Sequence, residues 1–315
     1  MGIVVRAVPC RADTLEQCEM TGETQEGKGT PVPSGTVGLS YLAPPADLRE
    51  LFGPMYLFLA DKTEVRDHTR ADFAQIRFML SGEGDYRFFD GRRVATPAAC
   101  MLGATTAATA FEVAGPMRVV GVAVLPLGWV ALGAGDASQF ADNVFDLAER
   151  FGAEWAELLE KLRTVGDAEE AAALVWPFLR EQTRPVTQSE RAFIAATDAW
   201  LADERSPRIE VLQEATGLSA RQVARLCNRF YGAPPKYLAR KYRALRSALM
   251  LARDNLDWAD LCDNTFYDQS HFIREFKHFL GLTPSQLRED ASLVIRLTMG
   301  RRDVAGDIAL LSRIS

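Results

Sequence analysis

The chain has 315 residues, a length that suits two domains. Hydrophobic residues make up 48% and charged residues 25%, an ordinary balance for a soluble globular protein. The net charge of −6 divides unevenly: residues 1–204 hold 18 Lys and Arg against 30 Asp and Glu, residues 205–290 hold 14 against 10, and the remaining tail holds 4 against 2. The basic part is the one to examine for nucleic-acid binding, because phosphate binding needs a local basic surface rather than a basic chain. Five cysteines, at 10, 18, 100, 227 and 262, form no Cys-x-x-Cys pair and no zinc spacing, which fits a reducing cytosol. Ile3-Val4-Val5 is too short an apolar run for a signal peptide, and the longest uncharged stretch, 119–135, is broken by Pro126 and several glycines. The expected location is the cytoplasm, with no membrane partner.

Residues 1–36 read as a flexible segment, rich in Thr, Gly and Pro from residue 21 onward. Residues 37–135 read as a β domain of short strands and turns. In Phe73–Leu80 the side chains partly alternate, with Ile76, Phe78 and Leu80 on one side and Arg77 and Met79 on the other. Asp90-Gly91, between Tyr86–Phe89 and Arg92–Val94, is a hairpin signal. Several strands with regular turns suggest a sandwich or small barrel. Residues 136–184 turn helical and would serve as a linker or for dimerisation. Phe140, Val144, Leu147 and Phe151 form one stripe; Trp155, Leu158, Leu159 and Leu162 form the next. A further helix near 188–201 opens a unit spanning 185–290, followed by a tail, 291–315.

Within 185–290 two helix-turn-helix patterns occur in tandem. In the first, which begins at Ile209, Gly217 supplies the turn, Ser219 is the N-cap, and Gln222 three residues later completes a capping box. Val223, Leu226 and Cys227 face inward, leaving Ala220, Arg221, Gln222, Arg225 and Asn228 outward. In the second, beginning at Leu256, Asp268 is the cap and Phe272, Phe276 and Phe279 form the buried stripe. Gln269, Ser270, His271, Arg274 and Lys277 lie toward the open face. A helix from Pro234 and Pro235 to about Asp254 joins the units. Its buried stripe is Leu238, Tyr242, Leu245, Leu249 and Ala252, with Lys236, Arg240, Lys241, Arg243 and Arg246 elsewhere on its surface. Such a helix spans about 27 Å, close to the roughly 34 Å of one B-DNA turn, so the two second helices could enter successive major-groove segments. Arg suits guanine and Gln suits adenine, because each can make two hydrogen bonds to one base edge.

The stretches Ala215–Leu226, Gly232–Leu238, Asp268–Lys277 and Gly281-Leu282-Thr283-Pro284 resemble the DNA-binding domain of AraC/XylS-type transcription regulators, over about 85 residues. In the last stretch Thr283 caps, Pro284 opens a helix and Gln286 completes a second capping box. Thr265 stands where the family usually has Gly, and Cys227 where it usually has Phe. The resemblance implies an α+β chain: an N-terminal β-barrel, cupin-like domain with helices, then an all-α domain of two helix-turn-helix units joined by a long helix. It also implies that the N-terminal domain binds a small organic effector, that double-stranded DNA is the partner, that an activator of this kind would meet RNA polymerase, and that the chain could pair as a homodimer.

Chemistry is scarce. Three histidines, His68, His271 and His278, cannot build a His-rich cupin metal site, and none forms a nucleophile triad. No catalytic residue, metal or cofactor is expected, and His68 reads as a surface residue beside Asp67. The residues expected at DNA are Arg221, Gln222, Arg225, Gln269, Ser270, His271 and Arg274. Those expected at an effector are Tyr56, Phe78, Tyr86, Phe88 and Trp129. The rival readings are a cupin-type or DNA-repair enzyme fused to a DNA-binding domain, and a regulator whose N-terminal domain binds a protein partner.

Overall fold

The computed structural model describes residues 37–203, 208–253, 269–289 and 294–295. Its first part is an antiparallel sheet of eight strands: β1 (Val37–Leu42), β2 (Phe52–Ala60), β3 (Glu64–Thr69), β4 (Ala74–Arg87), β5 (Arg93–Ala95), β6 (Ala99–Leu102), β7 (Thr109–Val124) and β8 (Val144–Asp146). The order is β1-β2-β7-β4-β6-β8, with β3 also on β7 and β5 also on β4. Strands β4 and β7 run side by side through the middle. Two register shifts in β4, between Met79 and Ser81 and between Ser81 and Glu83, bend it. The Asp90-Gly91 turn closes a hairpin in which Tyr86 pairs with Val94.

The sheet is apolar on both faces. Leu57, Ile76, Phe78, Leu80, Val120 and Val122 point to one side and pack under helices α3 (Glu154–Leu162) and α4 (Ala168–Gln182). The expected stripe Trp155, Leu158, Leu159 and Leu162 is buried there. Leu39, Phe58, Met79, Phe111, Val113 and Val119 point the other way and surround a cavity, giving the domain its barrel-like form. Between sheet and helices lie α1 (Pro126–Ala131), a 3-10 turn (Ala137–Gln139) and α2 (Leu147–Phe151). The helical stripe expected through Val144 is not formed. Val144 and Phe145 join the sheet beside β6, where they pair otherwise open backbone groups, and the helix begins only where Asp146 accepts from the amides of Ala148 and Glu149.

The second part is helical: α5 (Gln188–Ala202), α6 (Ile209–Thr216), α7 (Ala220–Tyr231), α8 (Pro235–Arg253), α9 (Gln269–Leu280) and α10 (Pro284–Glu289). Leu212, Val223, Cys227, Phe230, Leu238, Tyr242, Leu245, Phe272, Phe276 and Phe279 form its core. That core continues into Ala71, Phe73, Leu125 and Leu127 of the sheet domain, so the two halves share one apolar interior. The basic residues of α8 depart from expectation. Lys236 is exposed, but Lys241 is 4% exposed and points into the sheet domain. Arg240 pairs with Glu275, and Arg246 donates to the Leu201 carbonyl. Within the expected apolar stripe Leu249 is half-buried and Ala252 exposed. The first helix of the second unit, with Cys262, Thr265 and Asp268, lies outside the described residues. Among the described residues no helix is long and apolar enough to cross a membrane.

Candidate nucleic-acid interface and ligand cavity

In the first unit α6 ends at Gly217, whose φ of 67° is the left-handed conformation that glycine adopts without Cβ strain. Ser219 then caps α7: its hydroxyl accepts from the Gln222 amide, and the Gln222 side chain accepts from the Ser219 amide at 3.0 Å. This reciprocal cap fixes where α7 begins. Val223 and Cys227 are fully buried, and burial pushes the Cys227 thiol up to about 12. Arg221, Gln222 and Arg225 are exposed on the opposite face. Oε1 of Gln222 is engaged in the cap, so a bidentate contact to adenine would dismantle that cap.

In the second unit Phe272, Phe276 and Phe279 are fully buried, leaving Gln269, Ser270 and Arg274 exposed. His271 is half-buried in the first turn, one turn before Glu275. Nε and Nη2 of Arg240, on α8, donate to the two carboxylate oxygens of Glu275 at 2.9 and 2.5 Å, tying the strut to α9. Burial pushes the Glu275 carboxyl up. Hydrogen bonds from Arg240 and the charges of Arg240, His271 and Arg243 outweigh it and hold the group below its ordinary value. Further on, Thr283 and Gln286 form the expected reciprocal cap of α10.

The helical half docks on the sheet domain through backbone as well as side chains. The last carbonyls of a helix have no partner within it; here Ala108 donates to the His278 carbonyl at 2.9 Å and Ala71 to the Phe279 carbonyl at 2.7 Å. Nζ of Lys241 donates to the carbonyls of Asp72 and Thr105 at 2.8 and 2.9 Å. The Tyr237 hydroxyl donates to the Thr106 carbonyl at 2.7 Å and lies 2.6 Å from Nε2 of His278. His68, expected on the surface, is half-buried beside Asp67 and close against Gly281.

The cavity opens behind this dock, with Asp72 and Thr105 in its wall. Of the residues expected to meet a ligand, Tyr56 and Tyr86 line it and Phe78, Phe88 and Trp129 do not. Phe78 lies on the helix-covered face, its ring stacked 6.3 Å from that of Trp155. Phe88 packs beside Tyr86 with Arg92 over its ring. Trp129 sits on α1 and donates Nε1–H to the Gly135 carbonyl. Arg77, absent from that expectation, points into the cavity: its Nη1 donates to the Tyr86 hydroxyl, and its guanidinium carbon lies 5.4 Å from that ring centroid. Its signal was the alternation in β4. A charged residue between apolar ones reads as facing solvent, but here both faces are enclosed.

This arrangement of a left-handed glycine turn, a capped exposed helix and a basic strut defines a helix-turn-helix protein. Residues 212–290 match the helix-turn-helix domain family. No curated protein matches the chain in sequence. Solved structures similar to it include ToxT from Vibrio cholerae O395, 10% identical over 71% of this chain and 96% of that one with a TM-score of 0.39. Unsaturated fatty acid bound wild-type ToxT from Vibrio cholerae strain SCE256 is 10% identical, over 74% and 94%, with a TM-score of 0.43. The AraC-like transcriptional activator CuxR is 15% identical, over 71% and 84%, with a TM-score of 0.32.

Proposed function

We propose that the chain is a sequence-specific transcription regulator of the cytoplasm that reads double-stranded DNA through α7 and α9 and answers to a small organic effector in the N-terminal cavity. The observation that carries this reading is the shared wall. Asp72 and Thr105 line the cavity, and their carbonyls hold Lys241 of the helix that joins the two DNA-reading units. A ligand that favours one arrangement of that wall over another would shift the arrangement of the two units. Arg221, Arg225, Gln269, Ser270 and Arg274 are the proposed base or phosphate contacts, with Gln222 and His271 acting at the start of each recognition helix. A repair-enzyme reading gains nothing from the described cysteines: Cys100 and Cys227 are fully buried, and burial pushes each thiol up to about 12, away from a reactive thiolate.

The test is genome-wide mapping of DNA bound by the full chain, followed by titration of a recovered site with and without candidate metabolites. A defined two-part site whose affinity moves with a metabolite supports the reading. Scattered, sequence-independent binding would overturn it, and a co-purifying protein that alone changes DNA affinity would favour a protein partner.

A further inference from the structure

We propose that the cavity takes an organic acid, with its carboxylate on the guanidinium of Arg77 between the Tyr56 and Tyr86 hydroxyls and its apolar body along the remaining wall. This rests on the effector reading above and gives it a ligand class.

The seat is built by sheet register. Tyr41, Tyr56, Gly121, Arg77 and Cys100 are successive partners across β1, β2, β7, β4 and β6. Side chains in such a row share one face. Gly121 leaves a gap in it, and a Cβ there would lie 2.1 Å from Cζ of Tyr56. The Tyr56 ring fills that gap, which brings its hydroxyl to Arg77 from one side. Tyr86 reaches the same guanidinium from the far part of β4, beyond the two register shifts.

The charges call for an anion. The lining holds two cations, Arg70 and Arg77, and two carboxylates, Asp72 and Asp85. Asp85 is held by Arg93 at 2.6 Å, and Asp72 accepts from the Phe73 amide at 2.8 Å and from Gln75 at 3.4 Å. Among the described residues Arg77 makes no ion pair: two phenols serve it, and its Nε is buried with no hydrogen-bond partner. A guanidinium stays charged at any relevant pH, and one that is half-buried without a counter-ion carries part of the cost of desolvation. A carboxylate removes that cost and can accept two parallel N–H bonds from the fork. Burial pushes the Tyr56 phenol up, so its hydroxyl remains a donor. Leu39, Phe58, Met79, Phe111, Val113 and Val119 supply the apolar wall. A neutral amide would leave the charge uncompensated, and an amine would add to it.

The experiment titrates the full chain calorimetrically with 3-phenylpropanoate, its primary amide and 3-phenylpropan-1-amine. The carboxylate should bind at least about tenfold more tightly than either analogue. Arg77→Met should remove that preference, Arg77→Lys should keep part of it, and Gly121→Ala, which displaces the Tyr56 ring, should weaken the carboxylate alone. Thermal melting and binding to a mapped DNA site show that each variant is folded. Equal affinity for acid and amide, no binding by any of the three, or unchanged carboxylate affinity in folded Arg77→Met overturns the proposal. The two readings separate cleanly. Acid binding that needs Arg77 but leaves DNA affinity unchanged removes the effector role and keeps the site. Amide binding that shifts DNA affinity does the reverse.

Discussion

Nζ of Lys241 donates to the carbonyl oxygen of Thr105 at 2.9 Å, carrying a charge from the strut between the two DNA-reading units onto the cavity wall of the other domain. The Asp72 carbonyl, 2.8 Å away, is its second acceptor. Burial pulls the Lys241 ammonium down to about 8, which still leaves it charged at neutral pH. A hydrogen bond to a charged group contributes about 1.5–3 kcal/mol. Lys241→Ala should therefore destabilise the chain by about that amount, because two buried carbonyls lose their partner. Urea denaturation checks it, with Lys236→Ala, an exposed neighbour on the same helix, expected within about 0.5 kcal/mol of the parent. Equal effects of the two substitutions would show that relief of the buried ammonium offsets the lost bonds.

A second buried contact sets a pH dependence. The Tyr231 hydroxyl donates to Oδ1 of Asp198 at 2.6 Å, joining α7 to α5. Burial pushes the Asp198 carboxyl up to about 7, and the hydrogen bond from Tyr231 opposes this only in part. A carboxyl raised above its unfolded value, about 3.9, holds more protons in the folded chain than in the unfolded one between those two values. Its contribution is complete below about 4 and is lost as pH rises through about 7. The melting temperature of Asp198→Asn minus that of the parent should grow between pH 5 and 8. A constant difference over that range would mean that Asp198 ionises normally.

Glu275 behaves in the opposite sense. Its carboxyl is 6% exposed and doubly hydrogen-bonded by Arg240, and it is held below its ordinary value. Its contribution is present above the unfolded value, near 4.3, and is lost as pH falls through the lower folded value. Glu275→Gln should be destabilising at pH 7, by about 1–3 kcal/mol, because the charge-assisted bonds are lost while Arg240, 39% exposed, still reaches water. The deficit should shrink toward pH 3. A double-mutant cycle with Arg240→Met measures the coupling; additivity of the two changes would show that the pair does not join α8 to α9 energetically.

What could be read from the sequence follows from how local each feature is. The Ser219 and Thr283 caps, the turn at Gly217 and the phenylalanine stripe of α9 depend on residues within one or two turns of each other, and each stands where its spacing placed it. The strands of β4 were legible for the same reason. Which side of β4 meets a ligand was not, because alternation gives two faces without saying what covers each. Helices α3 and α4, about 80 residues later, take the Phe78 face and leave Arg77 on the cavity side. Lys241 failed likewise: helical spacing marks it as off the apolar stripe, and only the tertiary dock supplies the carbonyls that let it be buried. Val144 joined the sheet because an open edge of β6 lay nearby, a fact no local pattern carries.

DNA readout gives the last prediction. Arg221, the second residue of α7, and Arg274, the sixth of α9, are exposed, and α8 between them has 19 residues, about 28 Å at 1.5 Å per residue. Replacing either arginine by Ala should cost about 1–3 kcal/mol at a mapped site if each makes a bidentate contact to guanine, and should relax preference at one base position. Gln222→Ala should act differently, because its side chain closes the cap of α7: a loss of about 1 kcal/mol in folding stability, with DNA affinity falling evenly across sequences. Lys236→Ala should weaken all sites alike and reduce the salt slope by about one. Competition titrations against a panel of single-base variants, at two salt concentrations, separate these three behaviours. Unchanged base preference in both arginine variants would place the reading surface on other residues of α7 and α9.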